Sequence, residues 1–223
     1  LYGRYLKDKR GLSQKEESCK DCKGRGCIFC NNHGIVSFDG VEGKMAKFLY
    51  EKFKTEQVKF TWIGGEDKTS LVMGDGRPFF AKLISPKKQN IKLTKKSNLN
   101  EITIRDLRKI DYIPNGSINF KSKTKILVST KNNIISNKLK KLKYLTNTPI
   151  EITDSSRQYK KTIYNLKYKK CSLQSFTVEI EADGGIPIKR LVDGSDIIPN
   201  ISSIIGVQCF CKKFDINQIY LSK

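Results

Sequence analysis

Between residues 39 and 56 the apolar positions fall three and four apart: Met45, Phe48, Leu49 and Phe53 in "DGVEGKMAKFLYEKFKTE". This spacing places them on one face, so the stretch predicts an amphipathic helix that begins near Asp39 or Gly43 and packs on a core. From residue 57 the period shortens to two. "QVKFTW" predicts a strand entering a turn at "IGGED", and "RPFFAKLI" a strand leaving it; "NEITIRDLRKIDYI" and "KTKILVST" add strands through alternation and β-branched content. "SNKLKKLKYLTN" returns to helical spacing, with Leu139, Leu142 and Leu145 on one side and lysines on the other. "TPIEIT", "KTIYNLKYKK" and "LQSFTVEIEAD" resume as strands; in the last, Phe176, Val178 and Ile180 alternate with Thr177, Glu179 and Glu181. Pro187 stands where a first helical turn can open in "GGIPIKRLVDG", and "NISSIIG" with "VQCFCKKFDI" supplies a short helix and a strand.

Strands outnumber helices and do not alternate with them, which predicts an α+β fold: a mixed, largely antiparallel sheet with flanking helices. Residues 1–38 break the pattern, being polar and rich in glycine and cysteine. They are expected to form a small loop-built module, with residues 39–223 as the main domain. Cys171, Cys209 and Cys211 are expected in strands and read as core packing in preference to a second metal site.

Charge changes the picture more than composition does. Lys and Arg number 43 against 22 acids, a formal charge of +21, and residues 112–170 hold 14 of the basic residues against only Glu151 and Asp154. Such an excess points to a polyanionic partner, because each cation that meets a phosphate releases a counterion. A lysine-rich solvated surface is the plainer explanation of the same numbers. No stretch of 18 apolar residues occurs and the first residues contain no apolar signal core, so neither a membrane partner nor a secretory route is expected, and the cytoplasm is the default location. No heptad pattern demands a second copy, so a monomer is expected. The only histidine is His33, so a serine or cysteine triad could run only through a residue that adjoins the cysteine-rich segment and is not expected, and "GGEDKTSLVMGDG" lacks the order of a phosphate-binding loop. A nucleotide cofactor is therefore not expected.

"CKDCKGRGCIFC" places Cys19, Cys22, Cys27 and Cys30 as two C-x2-C knuckles, with Gly24 and Gly26 between them. Four thiolates so spaced can converge on one tetrahedral ion, and the expected ligand is a structural Zn2+ with no open coordination position. Disulfides are the competing interpretation of the four cysteines. His33, three residues beyond Cys30, is a surface histidine or a substitute ligand.

Asp67, the second acid of "GGED", lies on a glycine-flanked turn, where an aspartate ordinarily caps or closes the backbone. Its neighbourhood carries more. "GRYLKDKRGLSQ" (with Gly3, Arg4, Tyr5, Lys7, Arg10 and Gln14), the cysteine module followed by "NNHG", then "GGED", "GDGRPF", "NTPIEI", "DGGIPIKRLVDGSD" and "PNISSIIGVQCFC" run in an order that resembles the archaeal and eukaryotic tRNA pseudouridine synthases that modify positions 54 and 55 of the TΨC arm. The resemblance implies a pseudouridine synthase-like catalytic domain that needs no cofactor for catalysis, takes tRNA as partner and flips the target uridine out of the RNA. It implies that Asp67 is the nucleophile at the ribose, that Lys189 is its ion partner with Arg190 as second choice, and that Thr124 and Pro187 line the base pocket beside Lys125. Arg77 is expected to shape the loop behind the site or to meet an RNA phosphate. Members of the family carry a further RNA-binding domain ahead of the cysteine module, which implies a separate RNA-binding subunit for this sequence. Three positions depart from the pattern: Gly65 replaces an arginine, and Thr124 and Pro187 replace tyrosines that meet the base. Trp62, Phe79 and Phe80 are the nearest alternative rings, with core packing the plainer role. These departures set a second reading, a tRNA-binding or folding protein derived from such an enzyme, beside the active isomerase.

Overall fold

The acidic turn joins two strands of the first of two units, Leu1–Gly116 and Ser117–Lys223, in a computed structural model that describes residues 1–155 and 157–221. The first unit contains β1 (Tyr2–Lys7), α1 (Val41–Phe53), β2 (Gln57–Trp62), β3 (Val72–Ile84), β4 (Lys96–Asn98) and β5 (Ile102–Arg108). Its strands pair antiparallel in the order β2-β3-β1-β5-β4. Residues 2–7 thus lie between two partners, although they were expected in the loop-built module. Their sequence hides this, because Lys7 is fully buried beside Tyr2 and Tyr5 and so masks any apolar alternation.

The expected helix is present as α1, with Gly40 as its N-cap. It buries Val41, Met45, Leu49 and Phe53, each large apolar side chain contributing roughly 1.5–3 kcal/mol by leaving water. Gly40 offers no side chain to cap the first turn; the Ser13 and Gln14 carbonyls instead accept from the N–H groups of Val41 and Glu42 at 2.9 and 3.1 Å. The Glu42 carboxylate accepts from the Glu16 N–H at 2.8 Å, and the Gly40 N–H donates to Glu16 Oε1. The polar segment after β1 is thereby fixed to the start of the helix.

The second unit comprises β6 (Phe120–Thr130), α2 (Ser136–Lys140), β7 (Pro149–Asp154), β8 (Arg157–Lys170), β9 (Ser175–Asp183), α3 (Ile188–Asp193), β10 (Ile197–Ile198), α4 (Ile201–Ile205) and β11 (Cys209–Leu221). These strands pair antiparallel in the order β10-β7-β8-β9-β6-β11, and one isolated parallel bridge joins Thr146 to Ile163. The mixed, largely antiparallel sheet expected from the pattern is therefore present. On one face Ile126, Val128, Phe176, Val178 and Ile180 are buried. On the other, Lys125 stands opposite Glu179 and Lys123 opposite Glu181, with ion-pair distances of 3.0 and 3.6 Å.

The basic segment expected as one helix is α2 continued by a 3-10 turn over Lys141–Leu145. Leu139, Leu142 and Leu145 are all buried, and a spacing of three is the period of the tighter helix. Cys209 is buried and Cys211 half-buried, but Cys171 is exposed just past the end of β8. It belongs to the turn that leads into β9, not to the core as expected.

Candidate active site and metal centre

β2 ends with Trp62 opposite Phe79, and the chain loops back through residues 63–71 to β3. Gly64, at φ 72°, occupies the left-handed region that favours glycine, which allows the reversal. Glu66 points inward with its side chain fully buried, Lys7 Nζ at 3.1 Å from Oε1 and Arg77 Nε at 3.4 Å from Oε2. The Tyr5 hydroxyl donates to Oε2 at 2.9 Å. Tyr5 and Arg77 are direct cross-strand partners on β1 and β3, so the pairing register itself brings them to this carboxylate. Burial, opposed by Arg77 and reinforced by Glu66, raises the Tyr5 phenol well above its ordinary pKa, so it remains a donor at neutral pH.

The same side chains also hold the loop's backbone. Arg77 donates to the carbonyls of Ile63 at 2.6 Å and Gly65 at 2.9 Å, and Lys7 to those of Leu12 and Asp67, each at 3.1 Å. Gln14 donates to the Tyr5 hydroxyl at 3.1 Å and accepts from the Glu66 N–H at 3.3 Å. Arg10 donates to the Thr69 carbonyl at 2.5 Å and Arg4 to that of Gly76 at 2.8 Å. The polar residues of "GRYLKDKRGLSQ" are thus the scaffold of the acidic turn. Burying ions is costly unless each is paired and hydrogen-bonded; here two cations and a phenol converge on one carboxylate, leaving one positive charge in excess behind the turn.

Arg77, expected to shape the loop or meet a phosphate, does the first. Its side chain is 2% exposed and its guanidinium is committed to the loop's carbonyls and Glu66, so it does not reach the surface. Of the rings near the turn, Phe79 and Phe80 are buried. Trp62 is half-buried, stacked on Phe60 with centroids 5.0 Å apart and set edge-on to Tyr5 at 5.7 Å.

Asp67 follows Glu66 in the turn and is half-buried. Its Oδ1 accepts from the Thr69 N–H at 2.7 Å and from the Thr69 hydroxyl at 2.6 Å. Its carbonyl accepts from Lys7, from the Ser70 N–H at 3.0 Å and from the Ser70 hydroxyl at 2.7 Å. The aspartate therefore closes its own turn, as aspartates on turns ordinarily do, and is held at both backbone and side chain.

The remaining expected site residues belong to the second unit. Thr124 on β6 is 3% exposed, paired with Ile216 on one side and Ile180 on the other. Asn217, next along β11, is the extra residue of a bulge at this row, since Ile216 pairs with Thr124 and Gln218 with Lys123. Lys125 is bound to Glu179. Pro187 is the N-cap of α3, its carbonyl accepting from the Leu191 N–H at 2.9 Å, and Lys189 is exposed in the first turn of that helix. Arg190 donates to the carbonyls of Thr153 and Ser195 and pairs with Asp196 at 3.5 Å, so it ties α3 to the end of β7.

The four module cysteines converge. Their sulfur atoms all lie within 4.8 Å of one another, with separations of 3.9 Å for Cys19 and Cys27, 3.8 Å for Cys22 and Cys30, and 3.7 Å for Cys27 and Cys30. Four sulfurs held about 2.3 Å from a tetrahedral ion stand about 3.8 Å apart, and a disulfide would need about 2.05 Å. The donor set therefore fits a metal ion and not crosslinks. Gly26, at φ 95°, is required by the approach of the Asn32 carbonyl, which a Cβ would meet at 2.6 Å. Burial works against charge on the Cys30 thiol, yet the Cys27 and Gly34 N–H groups outweigh it and hold that thiol at about 7. His33 is not part of the cluster; its ring stacks on Tyr50 of α1 at 4.2 Å, which fixes the module to the helix.

Against known families, the model described as "Pus10, C-terminal" matches residues 1–220. A curated relative from Nitrosopumilus maritimus named tRNA pseudouridine synthase Pus10 is 42% identical over 98% of this chain and 58% of its own length. One of the same name from Cenarchaeum symbiosum is 34% identical over all of this chain and 56% of its own. The chain thus spans little more than half the length of these relatives.

Proposed function

The chain belongs to the Pus10 C-terminal family, and on that premise we propose that it carries the catalytic part of a tRNA pseudouridine synthase acting in the TΨC arm at position 54, 55 or both. The reaction is an isomerisation: the C1′–N1 bond of a flipped uridine breaks, the uracil turns, and a C1′–C5 bond forms, while N1 gains a proton and C5 loses one. Atoms and electrons balance without a cofactor. Asp67 attacks C1′ as carboxylate while N1 leaves, and the C1′–O bond so formed breaks again when C5 of the turned uracil attacks C1′, which frees the carboxylate; such a nucleophile suits an oxocarbenium-like transition state, and Lys189 pairs with it as the cation. Thr124 and Pro187 line the base pocket, while Lys125, on the opposite face of the strand and paired with Glu179, meets RNA outside that pocket.

The observation that carries this reading is the buried cluster behind the turn. Lys7 and Arg77 set two positive charges against the single carboxylate of Glu66, and the excess favours an anion on the neighbouring residue. Lys7 and Ser70 also fix the backbone of Asp67, the kind of support that a positioned nucleophile needs. A turn aspartate with only a structural task would not require three buried ionic side chains beneath it. Cys19, Cys22, Cys27 and Cys30 would hold a structural zinc ion, which would order the segment after β1 and take no part in the isomerisation.

The burial of Thr124 favours keeping the second reading in view, that of a tRNA-binding protein without turnover, since no ring is presented at that place in the strand. Carbodiimide adduct mapping of an unmodified tRNA transcript separates the two. New adducts in the TΨC arm after incubation with the protein establish the isomerase and identify the position; tight binding without adducts establishes the binder.

A further inference from the structure

We infer that Thr69 is a positioning residue for the isomerisation, one that fixes which carboxylate oxygen of Asp67 meets the ribose. The inference rests on the reading above, in which Asp67 is the nucleophile. Both donors of Thr69 converge on a single atom: its N–H reaches Asp67 Oδ1 at 2.7 Å, and its hydroxyl reaches the same oxygen at 2.6 Å. Closing the turn calls only for the first bond, since the backbone two places on is the ordinary partner of a turn aspartate. The hydroxyl adds a second donor to that oxygen and holds the carboxylate plane against rotation about Cβ–Cγ. Bonds of this kind, to an ionised acceptor, are about twice as strong as neutral ones.

Thr69 is itself held in place. The peptide unit that carries its N–H is anchored at the other end, where the Lys68 carbonyl accepts from the Gly11 N–H at 2.8 Å. The following peptide is anchored by Arg10, which donates to the Thr69 carbonyl at 2.5 Å. A β-branched side chain on such a backbone has few χ1 choices, so the hydroxyl is presented from a fixed frame. Because Thr69 is exposed, water would satisfy that hydroxyl equally well, and its commitment to Asp67 is not needed to bury it.

The chemistry gives this geometry a task. With Oδ1 turned into the loop, Oδ2 is the oxygen that bonds to C1′ while N1 leaves with the C1′–N1 electron pair. Oδ1 is then the carbonyl oxygen of the ester. When C5 attacks C1′, the C1′–Oδ2 electron pair returns to the carboxylate and is shared with Oδ1, where two donors already stand. Thr69 therefore orients the carboxylate for attack and stabilises it for release.

The test uses the full zinc-loaded chain and measures single-turnover conversion of an unmodified tRNA transcript alongside transcript affinity. Thr69→Val keeps the branch and the N–H but has no hydroxyl, and it should slow conversion about 10- to 100-fold. Thr69→Ala should be slowed alike, and it reports on the hydroxyl if valine disturbs the turn. Thr69→Ser restores the donor and should convert within about threefold of wild type, with affinity within about twofold throughout. All three are expected to melt with the wild type, because the side chain is exposed. Wild-type conversion by Thr69→Val and Thr69→Ala overturns the inference, as does a Thr69→Ser as slow as they are. A loss of affinity as large as the loss of rate also overturns it, since the hydroxyl would then be an RNA contact. A wild type that makes no pseudouridine removes the isomerase reading and this inference with it. A wild type that makes it beside equally fast Thr69→Val and Thr69→Ala removes the inference alone.

Discussion

Glu66 and Asp67 are adjacent acids with opposite tasks. Glu66 is sealed among Lys7, Arg77 and Tyr5, whereas Asp67 closes the turn through Thr69. Glu66→Gln keeps the shape but removes the anion between two buried cations, so it should lower stability by about 3–5 kcal/mol, the cost of leaving buried charge uncompensated. Urea unfolding at neutral pH measures it, and a loss below about 1 kcal/mol would show that the cations find other partners. Asp67 was singled out through the place of "GGED" in the family's order of motifs; the glycine-flanked turn alone marked it as an aspartate that closes the backbone, which it does. Its support was not legible: Lys7 and Arg77 come from strands far apart along the chain, and a buried ion cluster has no periodicity to mark it. The same cluster explains why Arg77, expected to shape the loop or to reach RNA, is turned wholly inward.

Elements show where local chemistry is enough and where it is not. α1 was visible from four apolar positions, and the metal centre from cysteine spacing, because a tetrahedral ion constrains ligands close together in sequence. β1 was hidden because it lies between β3 and β5 and carries a lysine into the interior. The cysteine segment has little apolar surface of its own, so its order should depend on the ion. Elemental analysis should give one zinc per chain, and verified removal by a chelator should speed amide exchange in residues 8–38 while β1 and α1 remain protected. Absence of zinc, or unchanged exchange after its removal, would contradict the metal centre. The bonds from Ser13, Gln14 and Glu16 to the start of α1 predict that fraying of that helix's first turn accompanies the loss.

Over the whole molecule, the charge has a distribution as well as a sum. No acid occurs between Asp111 and Glu151, and Lys131, Lys138, Lys140, Lys141 and Lys143 fall in that interval. The buried leucines of α2 and its 3-10 turn leave Lys140, Lys141 and Lys143 exposed. If they meet RNA phosphates, changing Lys140, Lys141 and Lys143 together to alanine should reduce the salt slope of tRNA binding by about 2–3 without altering the choice of uridine. An unchanged slope would make them the plain solvated surface that lysine-rich chains also carry.

The most direct measurement is single-turnover conversion of an unmodified tRNA transcript by wild type and by Asp67→Asn. Asparagine keeps an oxygen for Thr69 and hence the turn, but cannot act as the anionic nucleophile. The account predicts that the variant folds, binds the transcript within a few-fold of wild type, and slows pseudouridine formation by at least about 10³, the loss expected when a covalent step has no nucleophile. Pseudouridine formed by Asp67→Asn at the wild-type rate would contradict it.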